Sequence, residues 1–296
     1  MIRIVDVPRE FLPKMPVQYP PHQGSNPMIE ERAFSFFTTK KDLDSDYIYI
    51  PIQWTSWHIN PGGEYGLNSK PLIDFCSNLT QKYPNEKFFT IVQYDGGTLV
   101  PIDNSIIFGS SGKFNSPIGN NSVYEPIPLL CEPHPTVGKE TRINKAGFAG
   151  IVTHPIRQKM FDSLNNLEGY EFFMNSYQSG DFKTRKFREI LSNSVFALAP
   201  RGFGPASYRM YEAIQMQCIP IYISDEFWLP FTDQIEWEKM CLLVNENEID
   251  SIPERVDAIL ESGKHQEMID YGQKVYEKHL TWDGCLNTIA KRIEKC

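Results

Sequence analysis

The sequence predicts an α/β protein, on two observations: strands alternate with helices through its second half, and several of those strands are apolar at nearly every position. Such alternation argues for a parallel sheet covered on both faces. Val195-Phe196-Ala197-Leu198 and Ile219-Pro220-Ile221-Tyr222-Ile223 have the continuous apolar character of strands buried on both sides. From residue 147 the spacing predicts strands at 147–152, 170–175, 194–199, 219–224 and 241–244. Helices are predicted at 156–164, 184–191, 206–217, 253–262, 266–279 and 286–294.

The first half is less regular. Residues 1–46 are rich in proline and charge and show little periodicity. Tyr47-Ile48-Tyr49-Ile50-Pro51-Ile52 and Phe88-Phe89-Thr90-Ile91-Val92-Gln93 read as strands, being β-branched and aromatic runs with turn residues beyond them. Between them, Ser69 is placed to cap a helix with Leu72, Ile73, Phe75, Cys76 and Leu79 at helical spacing. Residues 96–145 are loop-rich, with short strands predicted at 105–109 and 127–130. The boundary falls within 136–146, which predicts domains at 1–140 and 141–296, with the last helix able to cross back to the first.

The chain has 296 residues, with 29 Lys and Arg against 37 Asp and Glu, and that acidic balance argues against broad binding to nucleic acid. An acidic total still leaves room for a local basic pocket. No apolar run approaches the roughly 18–20 residues that span a bilayer, and Pro8, Arg9 and Glu10 interrupt any signal-like start. The expectation is a soluble, cytoplasmic protein without a membrane span. Six scattered cysteines without a C-x-x-C pair fit reduced thiols, and the sequons at Asn78 and Asn120 matter only in a secreted chain.

Doubly wound sheets bind ligands at the carboxyl ends of their strands, commonly at helix N-termini. That directs attention to Thr153-His154-Pro155, to residues 175–181 with Tyr177 as a candidate for base recognition, and to residues 200–207. The third stretch is the most informative. A buried strand ends in Pro200-Arg201-Gly202, and Gly204 and Pro205 follow. A helix expected to start near Pro205 carries Ser207, Arg209 and Glu212. Gly202 and Gly204 let backbone N–H groups approach a ligand, and the helix start adds positive potential. Two arginines beside a helix N-terminus suit a diphosphate, and a carboxylate on the same flank suits a ribose diol. The alternative is that Arg209 and Glu212 are a surface pair worth about a few tenths of a kcal/mol. Ser207 stands where a third glycine of G-x-G-x-x-G would be, so no dinucleotide fingerprint is present, nor a P-loop.

The continuation Glu212-Ala213, Cys218-Ile219-Pro220, Leu229-Pro230-Phe231 and Ile235-Glu236-Trp237, taken with Pro200-Arg201-Gly202 and Ser207-Tyr208-Arg209, resembles the exostosin-like glycosyltransferases. The likeness covers about 40 residues and extends weakly to Gly147-Phe148-Ala149-Gly150. The resemblance implies a GT-B fold, two Rossmann-like domains facing a cleft, with a nucleotide sugar held mainly by the C-terminal half and transferred with inversion. It implies Arg201 and Arg209 on the diphosphate, Glu212 on the ribose, and Ser207 with Gly202 and Gly204 as hydroxyl and backbone donors. The expectation is a short form without membrane anchor or second module, similar to those of large algal viruses and microbes, xylosyltransferases among them. UDP-xylose is the implied donor and an oligosaccharide or glycoprotein the implied acceptor; UDP-galactose, UDP-glucuronate or GDP-fucose are alternatives, as is a carbohydrate-binding protein that has lost catalysis.

Inverting transfer needs a base for the acceptor hydroxyl. Asp95 is the first choice, since it ends a buried strand before Gly96-Gly97; a turn aspartate capping those glycines is the other reading. Rivals are Glu64 and His58 in a Trp- and Gly-rich stretch, and Asp74 within a helix. Thr153, His154 and Arg157 could reach the diphosphate; alternatively Pro155 starts a helix and Arg157 is solvated. Asp42-Leu43-Asp44 reads as a charged loop rather than a metal-binding D-x-D, and the histidines show no zinc spacing, so no metal and no cofactor beyond the donor sugar are expected.

Overall fold

A computed structural model describes residues 2–12, 28–59, 70–113, 116–131, 133–134, 141–174 and 181–295. They form two compact units, one made of the described residues up to Pro128 together with those from Thr281 onward, the other of Leu129–Leu280.

The first unit holds β1 (Arg3–Ile4), α1 (Ile29–Thr39), β2 (Tyr47–Tyr49), α2 (Trp54–Ile59), α3 (Lys70–Lys82), β3 (Lys87–Val92), β4 (Ser105–Gly109) and β5 (Val123–Pro126). Its strands form one parallel sheet in the order β1-β2-β3-β4-β5. β3 is buried from Phe88 onward, and polar Thr90 is accommodated because its hydroxyl donates to Ile50 O at 2.8 Å and accepts from Trp54 Nε1 at 2.8 Å. α1 lies in the stretch where the sequence showed little periodicity. Its Ile29, Ala33 and Phe37 recur every four residues and are buried, and Phe37 packs on Tyr49 and Phe89 at 5.3 and 5.1 Å. The strand expected at 127–130 forms earlier, at β5. Ile127 still donates to Gly109 O, but Pro128 has no N–H to continue the ladder. Residues 127–130 are buried loop.

The second unit holds β6 (Asn144–Gly150), α4 (Pro155–Leu164), β7 (Tyr170–Met174), α5 (Asp181–Asn193), β8 (Ser194–Pro200), α6 (Tyr208–Gln215), β9 (Ile219–Ile223), β10 (Leu242–Val244), α7 (Ile252–Glu261) and α8 (His265–Val275). Its parallel sheet runs β10-β9-β8-β6-β7. β8 alternates between two cores. Phe196 and Leu198 join Ile156 and Met160 of α4 and Ile252 and Val256 of α7, whereas Ala197 joins Ile190 of α5 and Ala213 of α6. Helices thus cover both faces, the arrangement a continuous apolar strand requires. A Cβ on Gly147 would lie 2.6 Å from Ile190 Cγ2 and 2.5 Å from Ser194 Oγ, so glycine permits α5 to lie against β6.

The last helix, α9 (Trp282–Ile293), belongs with the first unit. Arg32 stacks over the Trp282 ring at 4.4 Å, Lys40 Nζ donates to Asn287 Oδ1, and Ser45 Oγ donates to Ile293 O. No described helix is long and apolar enough to cross a membrane. The five cysteines among the described residues are free thiols, all buried.

Candidate functional site

The carboxyl edge of the second sheet carries most of the expected ligand-binding residues. β8 ends at Pro200, and α6 begins at Tyr208 rather than near Pro205, so residues 201–207 form a full connecting loop. That loop is fastened from below: Arg201 N–H donates to Ile223 O, and Tyr222 Oη donates to Pro205 O at 2.8 Å. The Arg201 side chain is buried, with Nη1 on Asp225 and Nη2 on Phe203 O at 3.3 Å, while its Nε has no protein acceptor. Partial burial acts to raise the Asp225 pKa, but the Arg201 guanidinium outweighs it and holds the carboxyl below its usual range. Asp225, one residue beyond Ser224 at the end of β9, was not singled out in the sequence; an acidic residue after a buried strand gives no signal that it will face an arginine.

Pro155 starts α4 as the alternative reading expected, but Arg157 is buried. It is neither solvated nor free to turn toward a ligand, because its guanidinium is spent on backbone carbonyls. Nε donates to Arg201 O at 2.9 Å, Nη1 to Ile151 O at 2.9 Å and Nη2 to Pro200 O at 3.3 Å. It clamps the ends of β6 and β8 together. His154 is likewise occupied: Nδ1 accepts from Ile156 N–H at 3.3 Å and caps α4, and burial together with the nearby Arg201 charge lowers its pKa. Gly202 and Thr153 face one another across a small space. A Cβ on Gly202 would sit 3.6 Å from Thr153 Oγ1 and 3.4 Å from Arg157 Nη2, and that Thr153 hydroxyl is buried without a partner.

Ser207 is the N-cap residue of α6, only 3% exposed, yet its hydroxyl caps nothing and has no protein partner. Buried hydroxyls are nearly always hydrogen-bonded, so this one has hydrogen-bonding capacity that the surrounding protein does not use. Arg209 follows within the first turn of α6. Its Nε donates to Ala149 O at 2.9 Å, its Nη1 to Glu212 Oε2 at 2.5 Å, and its guanidinium lies 4.6 Å over the Phe187 ring.

Glu212, expected on the ribose, has protein partners on both carboxylate oxygens. It is 0% exposed, with Oε1 3.1 Å from His134 Nε2 and Oε2 on Arg209. In this structure Glu212 anchors Arg209. Among the described residues, Cys131, His134 and Glu212 bring donor atoms within 4.8 Å of one another, a spacing a metal ion could use. Here the histidine–carboxylate contact is a hydrogen bond, and the Arg209 charge on Glu212 opposes a cation.

In the first unit, β3 ends at Val92 and Asp95 lies three residues beyond it rather than at the strand end, in the turn of residues 94–97 closed by Gly97 N–H on Tyr94 O at 2.9 Å, with Gly97 at φ 73°. His58 is fully buried on α2, its Nε2 3.0 Å from Thr98 O, and burial lowers its pKa to about 4. Shut from solvent and with its pKa lowered, the His58 ring is a weak base in a place an acceptor hydroxyl does not reach in this structure. Asp74 lies on the exposed flank of α3 in a pair with Lys70 at 2.9 Å. Glu64 and Tyr177, like Ser69, lie outside the described residues. Two buried polar atoms without partners, Gln53 Oε1 and Ser110 Oγ, come just after β2 and β4 on the same sheet edge as Asp95.

A family model for the Exostosin GT47 domain matches residues 22–260, and the chain belongs to that family. An Exostosin-1 homolog of Caenorhabditis elegans is 30% identical over 135 residues, covering 44% of this chain and 35% of the relative. A probable glycosyltransferase of Arabidopsis thaliana is 26% identical over 290 residues, covering 86% of this chain and 59% of the relative. The chain therefore spans less than two thirds of the length of either. Among solved structures, the GtfA/B complex superposes with a TM-score of 0.46 at 12% identity, covering 89% of this chain and 60% of that one. Two parallel-stranded α/β units are the components of a GT-B fold.

Proposed function

We propose that this chain is an exostosin-type glycosyltransferase that moves a sugar from a UDP-sugar to a glycan hydroxyl with inversion, and that UDP-xylose is its donor. The observation that carries the reading is the start of α6: a buried N-cap serine whose hydroxyl has no protein partner, two residues ahead of Arg209 and at the end of the Gly202 loop. Unsatisfied N–H groups of a helix start, a hydroxyl and a guanidinium make a site for an anion with several oxygens.

On this reading the diphosphate lies between Ser207, Arg209 and Gly202, with Thr153 Oγ1 as a further donor. Arg201, pinned by Asp225, sets the loop and contributes charge. The acceptor binds on the first unit, where Asp95 takes the proton of the attacking hydroxyl. The new bond from that oxygen to the anomeric carbon forms as the bond to the diphosphate breaks, and the electron pair leaves on UDP. Arg209 and the α6 N–H groups stabilise that developing charge, the role a metal ion plays in other transferases, so the reaction is proposed to be metal-independent.

Hydrolysis of UDP-xylose, UDP-galactose, UDP-glucuronate and GDP-fucose, each with and without EDTA, tests the proposal. UDP-xylose should be turned over fastest and EDTA should not matter. Loss of activity in EDTA would overturn metal independence. Preference for another donor would overturn the xylose assignment, and no turnover of any donor would favour a carbohydrate-binding protein.

A further inference from the structure

We propose that His134 positions Arg209, acting through Glu212, for the phosphates of the donor; this rests on the diphosphate reading above. His134 comes from the segment ahead of β6, 78 residues from Glu212 in the chain. That segment is fastened to α6. The His134 N–H donates to Gln215 Oε1 at 3.2 Å, and Gln215 Nε2 reaches back to Cys131 O at 3.5 Å. The imidazole is therefore delivered to one place.

There it meets Glu212 with both side chains almost wholly buried, 1% and 0% exposed. An ionised carboxylate can only accept, so His134 Nε2 carries the proton of the 3.1 Å contact. The other carboxylate oxygen takes Arg209 Nη1 at 2.5 Å, and Arg209 Nε is fixed on Ala149 O at 2.9 Å. Phe187 lies under both ends of the relay, 5.3 Å from the His134 ring and 4.6 Å from the Arg209 guanidinium. Only Arg209 keeps appreciable exposure, at 21%. A ligand thus meets the arginine, while the histidine and carboxylate determine where the arginine is. Removing the His134 donor takes away one of the hydrogen bonds that hold the buried Glu212 carboxylate, and so loosens the restraint that Glu212 places on Arg209.

The test is calorimetric titration of the whole chain with UDP and with uridine. His134→Leu should weaken UDP about tenfold or more, the scale of one hydrogen bond to a charged group, and leave uridine unchanged. His134→Gln, which keeps a donor, should recover most of the UDP affinity. If the leucine variant does not fold, His134→Asn, too short to reach Glu212, takes its place. Arg209→Met separates the two levels. Loss of UDP affinity in Arg209→Met with wild-type affinity in His134→Leu overturns the positioning role alone. Wild-type affinity in Arg209→Met overturns the diphosphate reading and this proposal with it. Equal weakening of UDP and uridine in His134→Leu would make His134 a folding residue only, and would also overturn the proposal.

Discussion

Replacing Glu30 by glutamine should change how the stability of the chain depends on pH. Glu30 is 1% exposed, and accepts from Gln93 N–H at 2.8 Å, from the Thr55 hydroxyl at 2.7 Å and from Thr55 N–H at 3.2 Å. It ties α1 to the start of α2 and to the residue after β3. Burial raises its pKa from 4.5 to about 7, against the lowering effect of those donors. The folded chain therefore holds the Glu30 proton more tightly than the unfolded chain does. The resulting stability is fully present below pH 4.5 and is lost as pH rises through 7. Carrying a carboxyl from 4.5 to about 7 corresponds to about 3 kcal/mol, an upper value. Glutamine is nearly isosteric, keeps an acceptor at the Oε1 position and does not titrate. Urea unfolding from pH 4.5 to 8.5, followed by tryptophan emission, gives the difference in stability between Glu30→Gln and wild type. That difference should move by about 2–3 kcal/mol in favour of the variant across this range. A difference that stays constant with pH would refute the reasoning.

Three further outcomes follow from the same geometry. Arg157→Met should lose about 3–5 kcal/mol of stability, because it strands carbonyls of Ile151, Pro200 and Arg201 in a buried site; a melting temperature within about 2 °C of wild type would contradict the clamp. Gly202→Ala should fold normally, since its Cβ meets only ordinary contacts at 3.4 and 3.6 Å, yet should weaken UDP measurably by filling the space before Thr153; unchanged UDP affinity would place the phosphates elsewhere. Asp95→Asn should lower kcat at least about a hundredfold with the donor KM little changed, and near wild-type kcat would remove Asp95 as the base.

The loop after β8 was legible because a buried strand, two glycines and a serine–arginine helix start are local features. What the sequence does not carry is which arginine faces a ligand. Arg157 and Arg209 both sit on helices reached after β-strands, and only the packing of the β8 end against α4 turns the first into a backbone clamp. Glu212 reads as a surface partner or a ribose contact until His134 arrives from a distant segment. α1 was missed because prolines and charges surround it and its buried Glu30 looks like a surface residue. Part of the family pattern keeps the fold: Trp237 Nε1 donates to Pro230 O at 2.8 Å, and its ring meets Tyr211 edge-on at 6.5 Å. Those residues carry the likeness without touching the proposed site.

The central claim is that the start of α6 holds a nucleoside diphosphate. Calorimetric titration of the wild-type chain and Arg209→Met with UDP tests it most directly. The account predicts saturable binding by the wild type and at least about a tenfold loss in the variant, about 1.4 kcal/mol. It is contradicted if the wild type binds neither UDP nor GDP, or if the variant binds UDP equally well.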